Sequence, residues 1–339
     1  LADPAELALP AQGPAFVQDV AQQHDASYDQ GLRSELLDQL EQNVLKLEGV
    51  FDELLGGKGL DLQTLSAITE QALSDLTRDS DIFAALGLNP PGNDYPVRHC
   101  LHSSMLALSI GMNLKLDRST LKELAIGCLV HDAGMLHIDK QLAQSSKSLG
   151  SVEFLEITKH PVRVFDLVRS VEQIPRRSAF IAYQIHERLD GSGYPRRRSG
   201  SQIHFLSKVA AVADNYAALV APRPHRPGVL PARAVEAIMA EGTAGRLDPA
   251  AIRGLLQTTS LYPIGSYVLL SDGRVAQTIR SNGNLFDRPV VEAYRLGELH
   301  QPPEVLDLSV VNDLNIVRAI PRLNMTPAEL EQSSLKRPP

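Results

Sequence analysis

The sequence predicts a mainly α fold: a multi-helix bundle around a metal site, preceded by a helical adaptor and followed by a small β appendage. Apolar residues recur at helical spacing from Gly31 to about residue 260, and after that the period drops to two. All of the 10 histidines except His24 and His300 lie within the helical stretch, between His99 and His225. This clustering marks the central segment as the place of the chemistry.

The composition narrows the class of protein. A chain of 339 residues is longer than the roughly 100 to 200 residues of most domains, so we expect one main domain with smaller attachments. The net charge of −7 argues against a nucleic-acid polymer as partner, because binding to a phosphate backbone rests on basic surface. The two cysteines, Cys100 and Cys128, have no CxxC spacing, which argues against a disulfide framework or a thiolate zinc site.

The sequence also bears on location. No apolar run approaches the roughly 18 residues of a membrane span, and the opening LADPAELALP lacks the basic start and apolar middle of a secretory signal. We therefore expect a cytoplasmic protein with no membrane partner. The chain opens on Leu1 rather than a methionine, which leaves open a longer parent protein with a sensor or receiver module.

Residues 1–91 are predicted to form a loose arm, over about the first 31 residues, and then a helical adaptor. In the first adaptor helix, apolar residues alternate at steps of three and four, at Leu37, Leu40, Val44, Leu47, Phe51 and Leu54. Such a seam has two interpretations, a homodimer through this helix or packing against the chain's own domain, and both stay open. Gly56 and Gly57 are expected to end the helix, and Asp61 to cap the next one.

Residues 92–260 are predicted to form the main domain, a succession of helices. His99 lies at the start of one helix. A second has Ser119 as its expected N-cap and closes at His131 and Asp132.

Five further helices are predicted, beginning near His160, Arg176, Phe205, Pro231 and Pro249. Pro161 and Pro249 suit first-turn positions, and Asp248 is the expected N-cap of the last helix. The helix from Arg176 is expected to run to His186, and the helix over Phe205–Val220 carries Asp214 in its middle.

Residues 261–325 are predicted to form the β appendage. Ser266–Leu270 and Arg274–Ile279 are expected to pair as a hairpin with a two-residue Asp-Gly turn, and Pro289–Tyr294 to add a strand. Residues 326–339, rich in Pro, Ser and Lys, are expected to be a disordered tail.

The chemistry centres on His131 and Asp132. Nitrogen and oxygen ligands without thiolate suit iron, manganese, nickel or zinc, and a shared carboxylate can hold two ions close together. The adjacency of the two residues is weak evidence by itself, because such a pair more often caps a helix or lies on the surface.

The order of several motifs is more specific. His99 opens a helix, and HDAG (131–134), KHP (159–161), HERLDGSGYP (186–195) and ADNYAALVAPRPHR (213–226) follow. On these motifs, residues 94–256 resemble the HD-GYP family, a branch of the HD phosphohydrolases whose known activity is hydrolysis of cyclic di-GMP. The opening of the β appendage, YPIGSYVLLSDGRV, resembles the tail that often follows this domain.

The resemblance implies an HD-type helix bundle holding two divalent metal ions, iron or manganese first, with nickel or zinc as alternatives. The residues that match the family's metal ligands are His99, His131, Asp132 and Asp214 for the first ion, and His160 and His186 for the second. Asp132 is expected to bridge the ions, and His131 and Asp132 are the expected catalytic residues. In the implied mechanism, a hydroxide between the ions attacks phosphorus, so that cyclic di-GMP opens to linear pGpG and onward to GMP.

The resemblance also implies substrate contacts. Tyr194 matches a residue that contacts the dinucleotide through its ring, and Gly193 allows the tight loop that presents it. Arg223 and Arg226 match residues that grip phosphate. The run Arg196 to Arg198 either adds positive potential for the ligand or is an exposed charged loop. The GYP loop is further expected to contact a signalling partner, a diguanylate cyclase or another protein.

Four positions depart from the family pattern. Ile185 stands where a metal-binding histidine is usual, and Met135 where a phosphate-contacting lysine is usual. Tyr95 replaces the glutamate ligand of members with three metals, and Ala217 replaces an aspartate whose role we take to be structural.

Three functions remain open. An active phosphodiesterase is favoured by the complete first site and the intact GYP loop. A weak or inactive relative that works as a cyclic di-GMP receptor or signalling scaffold is favoured by Ile185 and Met135. A hydrolase of another phosphate ester fits less well with Tyr194 and the two arginines.

Overall fold

The computed structural model describes residues 16, 29–88, 95–138, 150–169, 171, 173–222, 228–294 and 302–321. Its helices are α1 Gln30–Leu55, α2 Leu62–Arg78, α3 Ser80–Leu88, α4 Val97–Asn113, α5 Arg118–Val130, α6 Ser151–Ile157, α7 His160–Val168, α8 Arg176–Gln184, α9 Phe205–Val220, α10 Pro231–Thr243 and α11 Pro249–Thr259. A small antiparallel sheet follows them. The predicted mainly α fold with a β appendage is confirmed. None of the described helices is both long enough and apolar enough to cross a membrane.

The apolar seam of α1 faces the chain's own core. The seam residues that are buried include Leu40, Val44, Leu47, Phe51 and Leu54, and α1 packs against α2 and α4. The same apolar core continues through the helices of the main domain. Of the two interpretations of the seam, the structure therefore supports packing within the chain.

Two cap predictions in this region can be checked. The Asp61 carboxylate accepts the backbone N–H of Thr64, as expected for the N-cap of α2. The N-cap of α5 is Asp117 rather than Ser119, because the Asp117 carboxylate accepts the N–H groups of both Ser119 and Thr120. The predicted start of α5 was therefore wrong by about two residues.

Helix α4 is the centre of the bundle. Every residue from His99 to Met112 is buried, and α4 packs against α3, α5, α9 and α11. A helix that is covered on all sides needs small or apolar residues around its whole circumference, which Ser103, Ala107 and Gly111 help to provide. This central position carries His99 into the interior of the domain.

Parts of the predicted ends of the chain lie outside the described residues. These are the arm, apart from Phe16 and residues 29–31, and the whole tail over 326–339. Phe16 is buried in the main core, and its N–H donates to the Leu116 carbonyl. At this residue, the segment predicted as a loose arm packs against the bundle.

The sheet consists of β1 Tyr267–Leu270, β2 Val275–Arg280, β3 Val290–Tyr294, β4 Glu304–Asp307 and β5 Ile316–Ile320, in the order β4-β3-β2-β1-β5. The register of the first hairpin pairs Val268 with Ala276 and Leu269 with Val275. The connection therefore has three residues, Ser271 to Gly273, rather than the predicted two, and Gly273 has a positive φ of 88°. The sheet has a small apolar core of its own, which includes Val268 and Val291.

A buried ion pair joins the sheet to the adaptor. Arg280 at the end of β2 is 1% exposed, and its Nη1 lies 2.5 Å from Oδ1 of Asp79, at the start of α3. The same nitrogen lies 3.7 Å from Asp81 Oδ2, and the Ser281 hydroxyl donates to Asp81 Oδ1 over 2.9 Å. Removing one partner of a buried charge pair usually costs about 3 to 5 kcal/mol, so this junction holds the sheet firmly against α3.

The junction predicts a pH-dependent stability. Burial, reinforced by Asp79, raises the pKa of Asp81 from 3.8 to about 6, against the opposing effects of Arg280 and Ser281. The folded state therefore holds this proton more tightly than the unfolded state, and its stabilising contribution is lost as the pH rises through about 6. In the native protein, we expect the free energy of unfolding to fall by on the order of 2 kcal/mol between about pH 4 and pH 7 because of Asp81. In Asp81→Asn, this pH-dependent decrease should be absent.

The measurement is urea unfolding at a series of pH values. Asp38→Asn, which removes an exposed carboxylate from α1, serves as the control and should follow the native protein. Parallel pH curves for the native protein and Asp81→Asn would contradict the assignment.

Candidate metal centre

Two carboxylates and four imidazoles meet inside the bundle. They come from the first turn of α4, the end of α5, the start of α7, the residues after α8 and the middle of α9. The six residues, all buried, are His99, His131, Asp132, His160, His186 and Asp214. The structure thus brings together every described residue that the sequence indicated as a metal ligand.

Asp132 is in contact with most of the cluster. Its Oδ1 lies 3.0 Å from His160 Nε2, 3.4 Å from His186 Nε2 and 3.5 Å from His131 Nε2. Its Oδ2 accepts a hydrogen bond of 2.8 Å from the Tyr95 hydroxyl. The two oxygens therefore have different surroundings: one faces three ring nitrogens, and the other is held by a phenol.

Asp214 completes the other side of the cluster. Its Oδ1 lies 2.9 Å from His99 Nε2 and 3.5 Å from His131 Nε2, and its Oδ2 lies 3.3 Å from His186 Nδ1. His131 and His186 consequently lie between the two carboxylates. The ligand atoms therefore form two groups that overlap at His131. One group is His99, His131 and Asp214, and the other is His131, Asp132 and His186.

Backbone carbonyls orient two of the rings. His131 Nδ1 lies 2.7 Å from the Cys128 carbonyl, and His160 Nδ1 lies 2.7 Å from the Ile157 carbonyl. A carbonyl oxygen can only accept, so Nδ1 carries the proton in both rings and Nε2 presents its lone pair to the cluster. This arrangement is typical of metal-binding histidines.

The geometry fits divalent metal ions. His131 Nε2 and Asp132 Oδ1 are buried and have no hydrogen-bond partner among the described residues. His160 Nε2 and His186 Nε2 lie 2.9 Å apart. The proton of His160 is on Nδ1, so its Nε2 offers a lone pair at this close contact. An ion with bonds of about 2.1 Å separates its ligand atoms by about 3.0 to 3.4 Å, which matches the distances around Asp132. The donor set, imidazole and carboxylate without thiolate, suits iron, manganese, nickel or zinc.

The charges of the cluster support each other. Burial would raise the pKa of Asp132, but His131, with His160 and His186, holds it well below the usual value. Burial likewise opposes ionisation of Asp214, and His186 and His131 outweigh it, so that the pKa of Asp214 is also well below normal. Both carboxylates are therefore ionised at neutral pH and present negative charge to a cation.

Two glycines allow backbone segments to come close together at the site. A Cβ on Gly134 would lie 2.3 Å from the His160 carbonyl oxygen, and one on Gly193 would lie 2.4 Å from the Arg188 nitrogen. Any side chain at Gly134 would push α7, and His160 with it, away from Asp132. The glycine of HDAG is thus required by the packing of the metal-ligand segments.

The HERLDGSGYP loop is built around Glu187. This buried carboxylate accepts the backbone N–H groups of Arg196 at 2.8 Å and Arg198 at 3.0 Å, which closes the loop on itself. The Tyr194 N–H donates to the His186 carbonyl, and the Tyr194 ring stacks on the His186 ring with centroids 4.9 Å apart. The loop therefore holds Tyr194 directly beside the cluster.

Not every predicted site residue can be placed. Arg223 and Arg226 lie outside the described residues. In the basic run, Arg196 donates to the Tyr183 hydroxyl, Arg198 donates to the Gln202 carbonyl, and Arg197 is exposed. Arg196 thus contacts α8 and Arg198 contacts the short segment after the loop, and both interpretations of the run stay predictions.

The departures from the family pattern have clear surroundings. Ile185 is fully buried in the apolar core, and Met135 is 7% exposed in the short 3-10 helix Ala133–His137. Neither side chain offers a nitrogen or oxygen ligand. Helix α8 ends at Gln184 rather than at the predicted His186, and Ile185 is its C-cap, so His186 lies just beyond the helix. Sequence reasoning noted Tyr95 only as a lost ligand and missed its hydrogen bond to Asp132.

Comparisons with known proteins agree with this fold. The family model described as HD domain matches residues 63–251. A solved HDG"Y"P protein from Bdellovibrio bacteriovorus has the same fold, with a TM-score of 0.57, 17% identity, and coverage of 70% of this chain and 76% of that one. The chain belongs to the HD-domain family, and its GYP loop together with the curated relatives described next assigns it to the HD-GYP branch.

Curated relatives include three phosphodiesterases. A cyclic di-GMP phosphodiesterase of Pseudomonas aeruginosa is 24% identical over 76% of this chain and 63% of its own length. The cyclic di-GMP phosphodiesterase PdeB of Borreliella burgdorferi is 22% identical over 57% of this chain and 51% of its own length. The 3'3'-cGAMP-specific phosphodiesterase 1 of Vibrio cholerae is 30% identical over 48% of this chain and 36% of its own length. The chain spans less than two thirds of each of these relatives.

The Tyr95 hydrogen bond predicts an effect on metal binding. Groups that orient a metal ligand usually change affinity by about 10- to 100-fold when they are removed. We expect Tyr95→Phe to weaken binding of Mn²⁺ by about this factor, because Asp132 loses the donor that orients its Oδ2. Calorimetric titration and elemental analysis measure the change without reference to activity.

Tyr294→Phe is the matched control for this measurement. It removes a hydroxyl from a half-buried tyrosine of β3, in the sheet. It should bind Mn²⁺ as the native protein does. Equal affinities for the native protein and Tyr95→Phe would show that the phenol has no part in holding Asp132.

Proposed function

We propose that this chain is a metal-dependent phosphodiesterase that opens cyclic di-GMP to linear pGpG and carries part of it onward to GMP. The convergence of two carboxylates and four histidines around two overlapping ligand groups is the observation that carries the proposal. The names of the relatives from Pseudomonas and Borreliella support the same substrate. The relative from Vibrio supports 3'3'-cGAMP as the competing substrate to be tested.

In the proposed site, two divalent ions, iron or manganese first, are held by six residues of the cluster. The residues that would hold the first ion are His99, His131, Asp132 and Asp214, and those that would hold the second are Asp132, His160 and His186. Such ions activate water and neutralise charge on phosphate oxygens. The chain's own contribution is to keep both carboxylates ionised, to point the ring nitrogens inward and to hold Asp132 through Tyr95.

The remaining groups position the substrate. Tyr194 offers its ring to the dinucleotide beside the cluster, and Gly193 lets the loop pass close to the backbone of residues 186–188. Burial raises the pKa of the Tyr194 phenol, so this side chain is uncharged and acts by contact. Arg223 and Arg226 are proposed to grip the phosphates, since a guanidinium can bind phosphate in a bidentate manner.

A second candidate function is a cyclic di-GMP receptor or signalling scaffold with little or no turnover. Its support is specific: Ile185 cannot supply a ligand to the second ion, and Met135 cannot supply a positive charge near phosphorus. Loss of one donor to developing oxygen charge costs about 10²- to 10³-fold in rate in other enzymes. The proposed enzyme is therefore expected to be slow.

One assay separates the two functions. The purified chain is incubated with Mn²⁺ or Fe²⁺ and with cyclic di-GMP or 3'3'-cGAMP, and linear products are followed by chromatography. We expect pGpG from cyclic di-GMP, and we expect Asp132→Ala to reduce its formation to background because both ligand sets lose their shared carboxylate. Asp166→Ala, an exposed carboxylate on α7, is the control and should keep full activity.

Tight binding of the nucleotide without product under either metal would instead establish the receptor. Retained activity in Asp132→Ala would place the reaction elsewhere in the chain.

The two departures predict a gain of function. Ile185→His together with Met135→Lys should raise turnover by about tenfold or more, because the family pattern has a metal ligand at the first position and a positive charge near phosphate at the second. Met135→Gln, of similar length and no charge, is the control for the second change. Metal content should rise toward two ions per chain in the double variant. Unchanged turnover with two ions bound would show that these positions do not limit the rate.

A further inference from the structure

A row of aromatic rings leads from the metal cluster to the surface. The His186 ring contacts His160 at one side and stacks on Tyr194 at the other, with centroids 4.9 Å apart in both pairs. Phe154 continues the row, because its ring meets Tyr194 nearly at a right angle with centroids 6.2 Å apart. Phe154 is thus two ring contacts away from a residue of the metal cluster.

Phe154 has no structural task in the core. It is 53% exposed, and no residue of α6 is buried. Its neighbours Val152 and Leu155 are exposed by 80% and 60%. A large apolar side chain normally gains free energy from burial, so an exposed phenylalanine at the edge of a site indicates a surface that a ligand covers.

Helix α6 is fixed relative to the site. It ends only three residues before His160, and the Glu156 carboxylate pairs with Arg163 of α7. The Arg163 guanidinium also donates to the His137 carbonyl over 3.1 Å, which ties it to the segment that follows Asp132. The Phe154 ring is therefore presented on a helix that the ligand-bearing segments hold.

We propose that Phe154 is a substrate-positioning residue, whose ring stacks on a purine base of the cyclic dinucleotide while the metal cluster holds a phosphate. This inference rests on the proposed function. Every base has a π face, so stacking on Phe154 favours binding without selecting guanine over adenine. Selection between cyclic di-GMP and 3'3'-cGAMP then falls to polar contacts elsewhere in the site.

Substitution at Phe154 tests affinity. Phe154→Ala should raise the Kd and KM for cyclic di-GMP and for 3'3'-cGAMP by roughly 5- to 100-fold each, with kcat and bound metal unchanged. Phe154→Trp should restore binding, because it keeps a stacking surface. Leu155→Ala, on the same helix but outside the row of rings, is the control and should bind as the native chain does.

Fluorescence tests the contact itself. The chain has 0 tryptophans, so Phe154→Trp introduces a single fluorophore at the proposed stacking position. Cyclic di-GMP should quench its emission, and inorganic phosphate, which has no base, should not. Leu155→Trp supplies the comparison and should show little quenching.

The outcomes separate this inference from the proposed function. A native chain that neither binds nor hydrolyses either dinucleotide overturns both. A native chain that binds, with Phe154→Ala unchanged, overturns the stacking alone. Equal losses in Phe154→Ala and Leu155→Ala would also overturn it, since they would indicate that the exposed face of α6 serves a protein partner or the helix itself.

Discussion

The buried Asp132 carboxylate is the group on which the rest of the centre depends. An ionised carboxylate taken out of water loses several kcal/mol of hydration, and it persists only where opposite charge and hydrogen bonds replace the water. Here Tyr95 donates a hydrogen bond to Oδ2, and the imidazoles of His131, His160 and His186 surround Oδ1. These partners belong to different segments, so the carboxylate is satisfied only when the bundle has closed around it.

The same dependence links the site to the outer parts of the chain. Arg98 in the first turn of α4 makes two hydrogen bonds, of 2.7 and 2.8 Å, to Glu41 of α1, and its neighbour His99 enters the cluster. The sheet contacts α3 through Arg280 and Asp79, and α3 in turn packs on α4. A displacement of the adaptor would thus have to be accommodated at the helix end that carries His99, which makes α4 the physical connection between adaptor and site.

Local chemistry explains which parts of the fold were predictable. Asp61 and Asp248 cap helices because each carboxylate reaches the N–H groups of residues two or three positions ahead, and an uninterrupted apolar pattern between breakers set both ends of α9 correctly. At α5, two residues that can both cap stand close together, and only the hydrogen bonds decide for Asp117. Strands β4 and β5 escaped prediction, since β4 is a short, mostly exposed strand at the edge and β5 pairs with β1 about fifty residues away.

The residues of the site likewise divide into those that the sequence identified and those that only the fold reveals. The metal-ligand set was named through the order of the family's motifs, because spacing alone leaves His131 and Asp132 as a cap-like pair. The contact between Tyr95 and Asp132 joins residues 37 positions apart, so no periodicity or spacing could reveal it. Phe154 likewise resembles any apolar position of a short helix until the fold brings its ring against Tyr194.

Charge balance connects the composition of the cluster to the proposed substrate. If all four imidazoles bind metal in their neutral form, the two ionised carboxylates would give the ligand set a charge of −2. In the proposed site, two divalent cations would convert this to +2, and a cyclic dinucleotide would bring two negative phosphates. With Met135 in place of a lysine, the ions supply the positive charge at the reacting phosphate without help from that position. In the proposed site, position 135 therefore adds no positive charge to that of the bound metal.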